Sequence, residues 1–338
     1  MHTTSIDIHT HVIPASFPAY AGTHANLRWP QMQMAPDCRH ATVMIAGKSF
    51  RTVTNECWDV DRRAEAMTRS GIGRQVLSPM PELLSYWLAA EDALALGRYV
   101  NATIAEMVAR APERFLALGT VPLQDPDLAA AELDRLMATG VFRGVEIGTN
   151  VNGVAIGDPR FEPFFAAAEA LDAAIFVHAL HPTGLERLVG PPVLAAVLAF
   201  PCETSFAIAS LITGGVLLRH PRLRLAFSHG GGAFATVLPR LVQGWKSLPA
   251  LANAIAVSPL EQARKLYYDT LVYDGPTLRF LVERFGVTQL CLGTDHPFDI
   301  QETAPVAGLD ALDLRPRERD LLLFANAERF LGLLGASA

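Results

Sequence analysis

Along the chain, apolar residues fall in short runs separated by longer stretches with helical spacing. Eight runs have the length and side-chain character of strands: residues 6–11, 74–78, 115–121, 144–147, 174–178, 223–229, 266–269 and 289–294. Between them the spacing predicts helices over 84–111, 127–138, 159–171, 233–245 and 276–285, with a last one over 316–334. The punctuation agrees: Pro112 stops the first helix, Pro126 opens the second, and Asp158-Pro159 is an N-cap followed by a first-turn proline. Eight strands alternating with helices predict an α/β chain of parallel βαβ units and, by count, a closed (β/α)8 TIM barrel. Alternation alone leaves a doubly wound open sheet as the alternative.

Residues 15–58 break this rhythm. They are rich in Pro, Met, Asn and Thr and carry no long helical pattern, and 42–53 reads as two short strands around an Ala46-Gly47-Lys48 turn. The segment follows the carboxyl end of the first strand, so it is expected to sit as a small insertion over the barrel mouth. No repeat, low-complexity tract or linker divides the chain, which reads as one barrel domain over 1–338 with a cap insertion at about 15–58.

With 338 residues and 50% hydrophobic content, the chain can build a large core. The net charge is −6 and no Lys/Arg cluster stands out, which argues against nucleic acid and anionic membrane as partners. No charged-then-apolar leader is read at Met1, and the apolar run 188–200 is short and broken by Pro191 and Pro192, so no membrane span is expected. Cys38, Cys57, Cys202 and Cys291 show no CxxC spacing, which argues for reduced thiols in a cytoplasmic protein; Cys291 is expected in the core.

Candidate chemistry gathers at the strand ends. In Ile6-Asp7-Ile8-His9-Thr10-His11-Val12, alternation puts His9 and His11 on one side, at a spacing that lets two imidazoles reach one metal ion. Taken alone, the run reads equally as two histidines flanking a buried strand. Ala174-Ile175-Phe176-Val177 ends in His178, and Leu225-Ala226-Phe227-Ser228 ends in His229 followed by Gly230-Gly231-Gly232, which leaves backbone N–H groups accessible to an anion. Asp295 ends the last strand, where it can ligate a metal, accept a proton or cap a turn. Five titratable groups on the carboxyl rim of one barrel suit a catalytic Zn2+, or another divalent ion such as Mn2+.

These motifs resemble the amidohydrolase superfamily, in its amidohydrolase-2 branch of decarboxylases. The resemblance runs over nearly the whole chain. It is carried by Asp7-Ile8-His9-Thr10-His11, Gly47-Lys48-Ser49-Phe50-Arg51, Val121-Pro122-Leu123-Gln124-Asp125, Val177-His178, Pro201-Cys202-Glu203-Thr204, Ser228-His229-Gly230-Gly231-Gly232 with Arg240, and Leu292-Gly293-Thr294-Asp295-His296-Pro297-Phe298. It implies His9, His11, His178 and Asp295 as metal ligands, with Asp295 and His229 in the chemistry and His229 as acid/base. Arg51 and Lys48 from the insertion would bind a substrate carboxylate. Arg240 would reach the neighbouring subunit's site, which implies a homodimer. The implied reaction is non-oxidative decarboxylation of an unsaturated or aromatic carboxylic acid, of aminocarboxymuconate-semialdehyde or hydroxybenzoate type. The alternative on the same site is a metal-dependent hydrolase or hydratase acting on a C–C bond, lactone or amide.

Departures from the family pattern fall on the pocket wall. Residues 194–199 lack tryptophan where the family carries it, His181-Pro182 follows His178, and His296 stands where the family has Tyr. His181 and His296 either contact substrate or are solvated loop residues. Two other readings are weak. Gly230-Gly231-Gly232-Ala233-Phe234-Ala235 fits a dinucleotide fingerprint, but no acidic residue follows about 20 positions on. His229-Gly230-Gly231-Gly232 mimics an esterase loop, but the chain has no G-x-S-x-G elbow.

Overall fold

A computed structural model describes residues 5–24, 28–310 and 312–334. The first strand, β1 (Ile6–Val12), leads into an antiparallel sheet of β2 (Gln31–Met34), β3 (His40–Ile45) and β4 (Lys48–Thr54). Here lies the predicted hairpin. Ala46 and Gly47 both take positive φ, 53° and 69°, the backbone a two-residue turn between twisted strands requires. Residues 25–27 of the insertion lie outside the described residues.

The remaining strands are β5 (Arg74–Pro79), β6 (Phe115–Gly119), β7 (Phe142–Gly148), the short pair β8 (Asn150–Val151) and β9 (Val154–Ala155), then β10 (Ala174–His178), β11 (Arg224–Phe227), β12 (Tyr267–Asp269) and β13 (Leu290–Cys291). The parallel sheet runs β1-β5-β6-β7-β10-β11-β12-β13. Backbone bonds close it: Ile8 N donates to Leu292 O at 2.9 Å, His11 N to His296 O at 2.7 Å, and Asp295 N to His9 O at 2.8 Å. That ring excludes the open-sheet alternative.

The helices that coat it are α1 (Val60–Ser70), α2 (Ala90–Arg110), α3 (Pro126–Ala138), α4 (Glu162–Ala170), α5 (Phe200–Thr213), the one-turn α6 (Val216–Arg219) and α7 (Phe234–Ser247), followed by shorter helices and Gly275–Phe285. The helix expected over 84–111 begins only at Ala90, because Ser85 turns left-handed at φ 53°. The expected C-terminal helix is Pro316–Asp320, a widened turn over Leu321–Ala325, and Asn326–Phe330.

Leu77, Val145, Val177 and Phe227 face the helices. Ile8, Val76, Leu118, Phe176, Ala226 and Cys291 fill the barrel's lower interior, which Ala327, Phe330 and Leu331 plug from below. Cys291 is core, as expected, and all four cysteines are free.

One expectation fails. The apolar run does not stop at Phe200 but continues through Pro201 into α5, so Ala195–Thr213 is a 19-residue helical run of mean hydropathy 1.7. Pro201 falls seventh in that run, just after a widened turn over Ala195–Ala199, the irregularity that takes in a residue with no N–H to donate. By length and composition this run could cross a membrane. Here Ala207, Ile208, Leu211 and Ile212 pack into the core, and the buried Glu203 accepts a bond from Asn150 Nδ2 at 3.0 Å.

Candidate active site

Strand alternation places the first two histidines, with one irregularity. The pairing of β1 with β5 shifts between Asp7 and Thr10. Asp7 is tied off beside the cluster: it accepts from the His9 backbone N–H at 3.1 Å, from Thr294 Oγ1 at 2.6 Å and from Gln75 Nε2 at 3.3 Å. His9 and His11 face the interior, with ring centroids 5.1 Å apart. β10 delivers His178, whose ring lies 5.0 Å from each of them. The turn after β11 delivers His229, 5.0 Å from His178, and the segment after β13 delivers Asp295. His229 and Asp295 have φ of 56° and 66°, left-handed backbone that non-glycine residues adopt at a cost of order 1–3 kcal/mol.

Each of the three inner histidines is oriented by its Nδ1. His9 Nδ1–H donates to Asp269 Oδ2 at 2.6 Å, His11 Nδ1–H to the Pro79 carbonyl at 3.1 Å, and His178 Nδ1–H to the Ala179 carbonyl at 2.8 Å. A carbonyl can only accept, so His11 and His178 carry their proton on Nδ1 and present a lone pair at Nε2. The three Nε2 atoms and an Asp295 oxygen lie within 4.8 Å of one another, all buried. Asp295 Oδ1 is 2.9 Å from His11 Nε2 and 3.4 Å from His9 Nε2, yet none of the four atoms has an aligned hydrogen-bond partner. One unsatisfied buried polar atom costs about 1–3 kcal/mol. Four that converge on one point are accounted for by a divalent cation, and three nitrogens with one carboxylate match the donors such ions take.

The electrostatics show a site built for positive charge. Burial by itself would lower His9, but its hydrogen bond to Asp269 and the nearby Asp295 carboxylate prevail and raise it to about 10. Burial pushes Asp295 up, and the adjacent His11 and His9 imidazoles overcome this, holding it well below the usual carboxylate range. Burial lowers His11, His178 and His229, the last to about 4.

Asp269 was not singled out in the sequence, because a strand-end Tyr-Tyr-Asp carries no spacing signal. It ties β1 to the turn after β11. Besides His9 it accepts from the backbone N–H of His229 at 2.9 Å and of Gly230 at 2.7 Å. Arg63 on α1 also went unread. It is fully buried and donates from Nε to the Glu56 carbonyl at 2.9 Å, from Nη1 to Thr10 Oγ1 at 3.2 Å, and from Nη2 to the His11 carbonyl, bracing β1 from outside. Inside the barrel, Ser78 Oγ donates to Glu146 Oε2 at 2.5 Å, and burial raises the Glu146 carboxyl to about 8.

Above the cluster opens a cavity of about 360 Å³, lined by His178, His229 and Asp295 below and by Arg51, Phe50 and His181 among its walls. The Arg51 guanidinium sits 4.1 Å over the Phe298 ring, which stacks on His11 at 4.8 Å. The cap therefore reaches the site through Arg51. Two other predicted residues do not meet there. Lys48 is exposed at the far end of the hairpin and does not line the cavity. Arg240, on α7, faces a separate groove beside Phe206, Val237 and Leu248. His296 is no solvated loop residue: it is buried, and burial lowers it to about 3. His181 stands at the cavity wall with its side chain 43% exposed.

Comparisons with known proteins agree with this geometry. A 2-amino-3-carboxymuconate-6-semialdehyde decarboxylase from Dictyostelium discoideum is 36% identical over 331 residues, covering 97% of this chain and 91% of its own. The crystal structure of 5-carboxyvanillate decarboxylase from Sphingomonas paucimobilis superposes with a TM-score of 0.76 at 27% identity, covering 82% of this chain and 84% of that one. The apo IDCase of Metarhizium anisopliae, at 24% identity, shares the fold with a TM-score of 0.83 over 98% of this chain and 97% of its own. The amidohydrolase family model matches residues 6–333. With its metal-type cluster on the barrel rim and that match over nearly its whole length, the chain is an enzyme of the amidohydrolase superfamily, in the amidohydrolase-2 branch.

Proposed function

We propose that this chain is a metal-dependent, non-oxidative decarboxylase of an unsaturated or aromatic carboxylic acid, of aminocarboxymuconate-semialdehyde or hydroxybenzoate type. The observation that carries the reading is the convergence of four unsatisfied buried ligand atoms beneath a cavity that also holds His229 and Arg51. The named relatives, decarboxylases of such acids, support it.

His9, His11, His178 and Asp295 would hold the metal, Zn2+ by donor type or Mn2+ as the alternative, and the bound ion supplies Lewis-acid polarisation. Arg51 holds a substrate carboxylate by charge-assisted bonds. His229 moves the proton that ends on the carbon bearing the leaving carboxylate. As that C–H bond forms, the bond to the carboxylate breaks, its electrons restore the unsaturated system, and CO2 leaves. Asp269 fixes the His229 backbone and the His9 ring, so proton donor and ligand shell share one anchor. General acid/base help of this kind is worth typically about 10²–10⁴-fold.

Arg240 lies outside its own subunit's cavity, which supports a homodimer in which it serves the partner's site. Lys48, exposed at the hairpin tip and outside the cavity lining, takes no part in this reading. Free thiols at exposed Cys38 and Cys202 support a cytoplasmic location. The chain reads as one barrel domain with a cap at about 15–58.

The test is metal analysis of purified protein followed by CO2 release from a panel of muconate-type and aromatic acids. The reading expects about one divalent ion per chain and CO2 from at least one acid. A metal without CO2 from any acid would turn the assignment to hydrolysis or hydration. His229→Ala should keep the metal and lose turnover at least about 100-fold, whereas His178→Ala should lose the metal.

A further inference from the structure

Beyond the metal cluster, a second set of polar groups converges on the cavity wall. Glu82, buried after β5, accepts from His181 Nε2 at 2.9 Å and from Arg28 Nη2 at 3.4 Å. The Trp87 ring stacks on His181 at 4.7 Å with planes 16° apart, and the Arg28 guanidinium lies 4.1 Å from the same indole. His181 and Glu82 line the cavity.

The backbone around His181 is held as firmly as its ring. Its φ is 42°, left-handed for a residue with a side chain. Asn150 Nδ2 donates to the Leu180 carbonyl at 2.7 Å and to Glu203 Oε1 at 3.0 Å, and Thr183 N donates to Glu203 Oε2 at 3.1 Å. A strained residue pinned on both sides, at the wall of a site, has a fixed direction in which to present its free atoms.

With Nε2–H given to Glu82 and one face on Trp87, the imidazole has its Nδ1 edge and its other face left for the cavity. A carboxylate accepts, so the bond to Glu82 places a proton on Nε2, and the neutral imidazole of that tautomer keeps a lone pair on Nδ1. A fixed acceptor selects a hydrogen-bond donor. We propose that His181 is a specificity-determining residue that reads a hydroxyl or amino substituent on the substrate, away from the carboxylate that Arg51 holds. The inference rests on the reading of this cavity as the substrate site.

The experiment compares metal-loaded wild type with His181→Phe, which keeps the stack on Trp87 and removes both nitrogens. Calorimetry measures binding of matched hydroxybenzoates and methylbenzoates at each ring position, with benzenedicarboxylates as a third set, and CO2 release is followed in parallel. Wild type should prefer hydroxyl over methyl by about tenfold at one position. His181→Phe should abolish that preference while methylbenzoate affinity and metal content stay within error. A preference that survives in the variant, or a wild type with none, overturns the assignment. So does a loss confined to the dicarboxylates, which would make His181 a cation. Absence of CO2 from every acid would defeat the decarboxylase reading alone, since the binding comparison still decides the role of His181.

Discussion

At the scale of single residues, the metal-type cluster was legible because its histidines end apolar strands, where alternation fixes direction, and Asp295 follows the last strand closely. Asp269 was not, because its importance lies in partners 40 and 260 positions away. Its role is measurable. Asp269→Asn keeps the size but weakens the partner that orients His9, and it should lower metal affinity about 10–100-fold in a chelator competition titration. Unchanged affinity would reduce Asp269 to a loop anchor. The His9 shift adds a pH prediction. In the metal-free site His9 stays protonated up to about 10, so binding a cation must expel that proton. Metal affinity should therefore rise with pH, by about tenfold per unit where one proton is released, between about pH 6 and 9. A flat profile would mean that no protonated ligand stands in the cation's place.

Elements were readable where burial and polarity alternate and unreadable where a charged residue is buried. All eight barrel strands lie within a few residues of their expected positions. Helix α1 was missed because Arg63 occupies its inward face and breaks the apolar period, its charge balanced by carbonyl, amide and hydroxyl partners that only the fold supplies. α5 was missed for the opposite reason, an apolar run without a helical period. The glycines after β11 show how tightly the elements meet. Gly232 has φ 61°, and a Cβ there would lie 1.9 Å from the Pro201 carbonyl oxygen at the start of α5. Gly232→Ala should cost at least about 2 kcal/mol and lower the melting temperature by several degrees. Gly47→Ala is the control: its φ is also positive, 69°, but nothing lies within 4 Å, so about 1 kcal/mol is expected. Equal losses at both positions would show that conformation, not the contact with α5, sets the effect.

At the scale of the whole molecule, Arg240 asks for a second chain. It has no ion-pair partner among the described residues, and the groove it lines carries exposed Phe206, Val237 and Leu248, apolar area that a subunit contact would cover. Neither fact was visible in the sequence, where Arg240 is one arginine on an amphipathic helix. A complementation experiment decides whether it acts across a twofold interface. Arg240→Ala and His229→Ala should each be inactive alone. In a mixed dimer, the site with His229→Ala stays dead. The other keeps its own His229 and receives Arg240 from its neighbour. Random reassociation makes about half the dimers mixed, each with one working site of two, so activity should recover to about one quarter of wild type. An arginine acting within its own subunit gives no recovery at any mixing ratio, because neither chain then carries both groups, and a monomer in sedimentation would remove the dimer altogether.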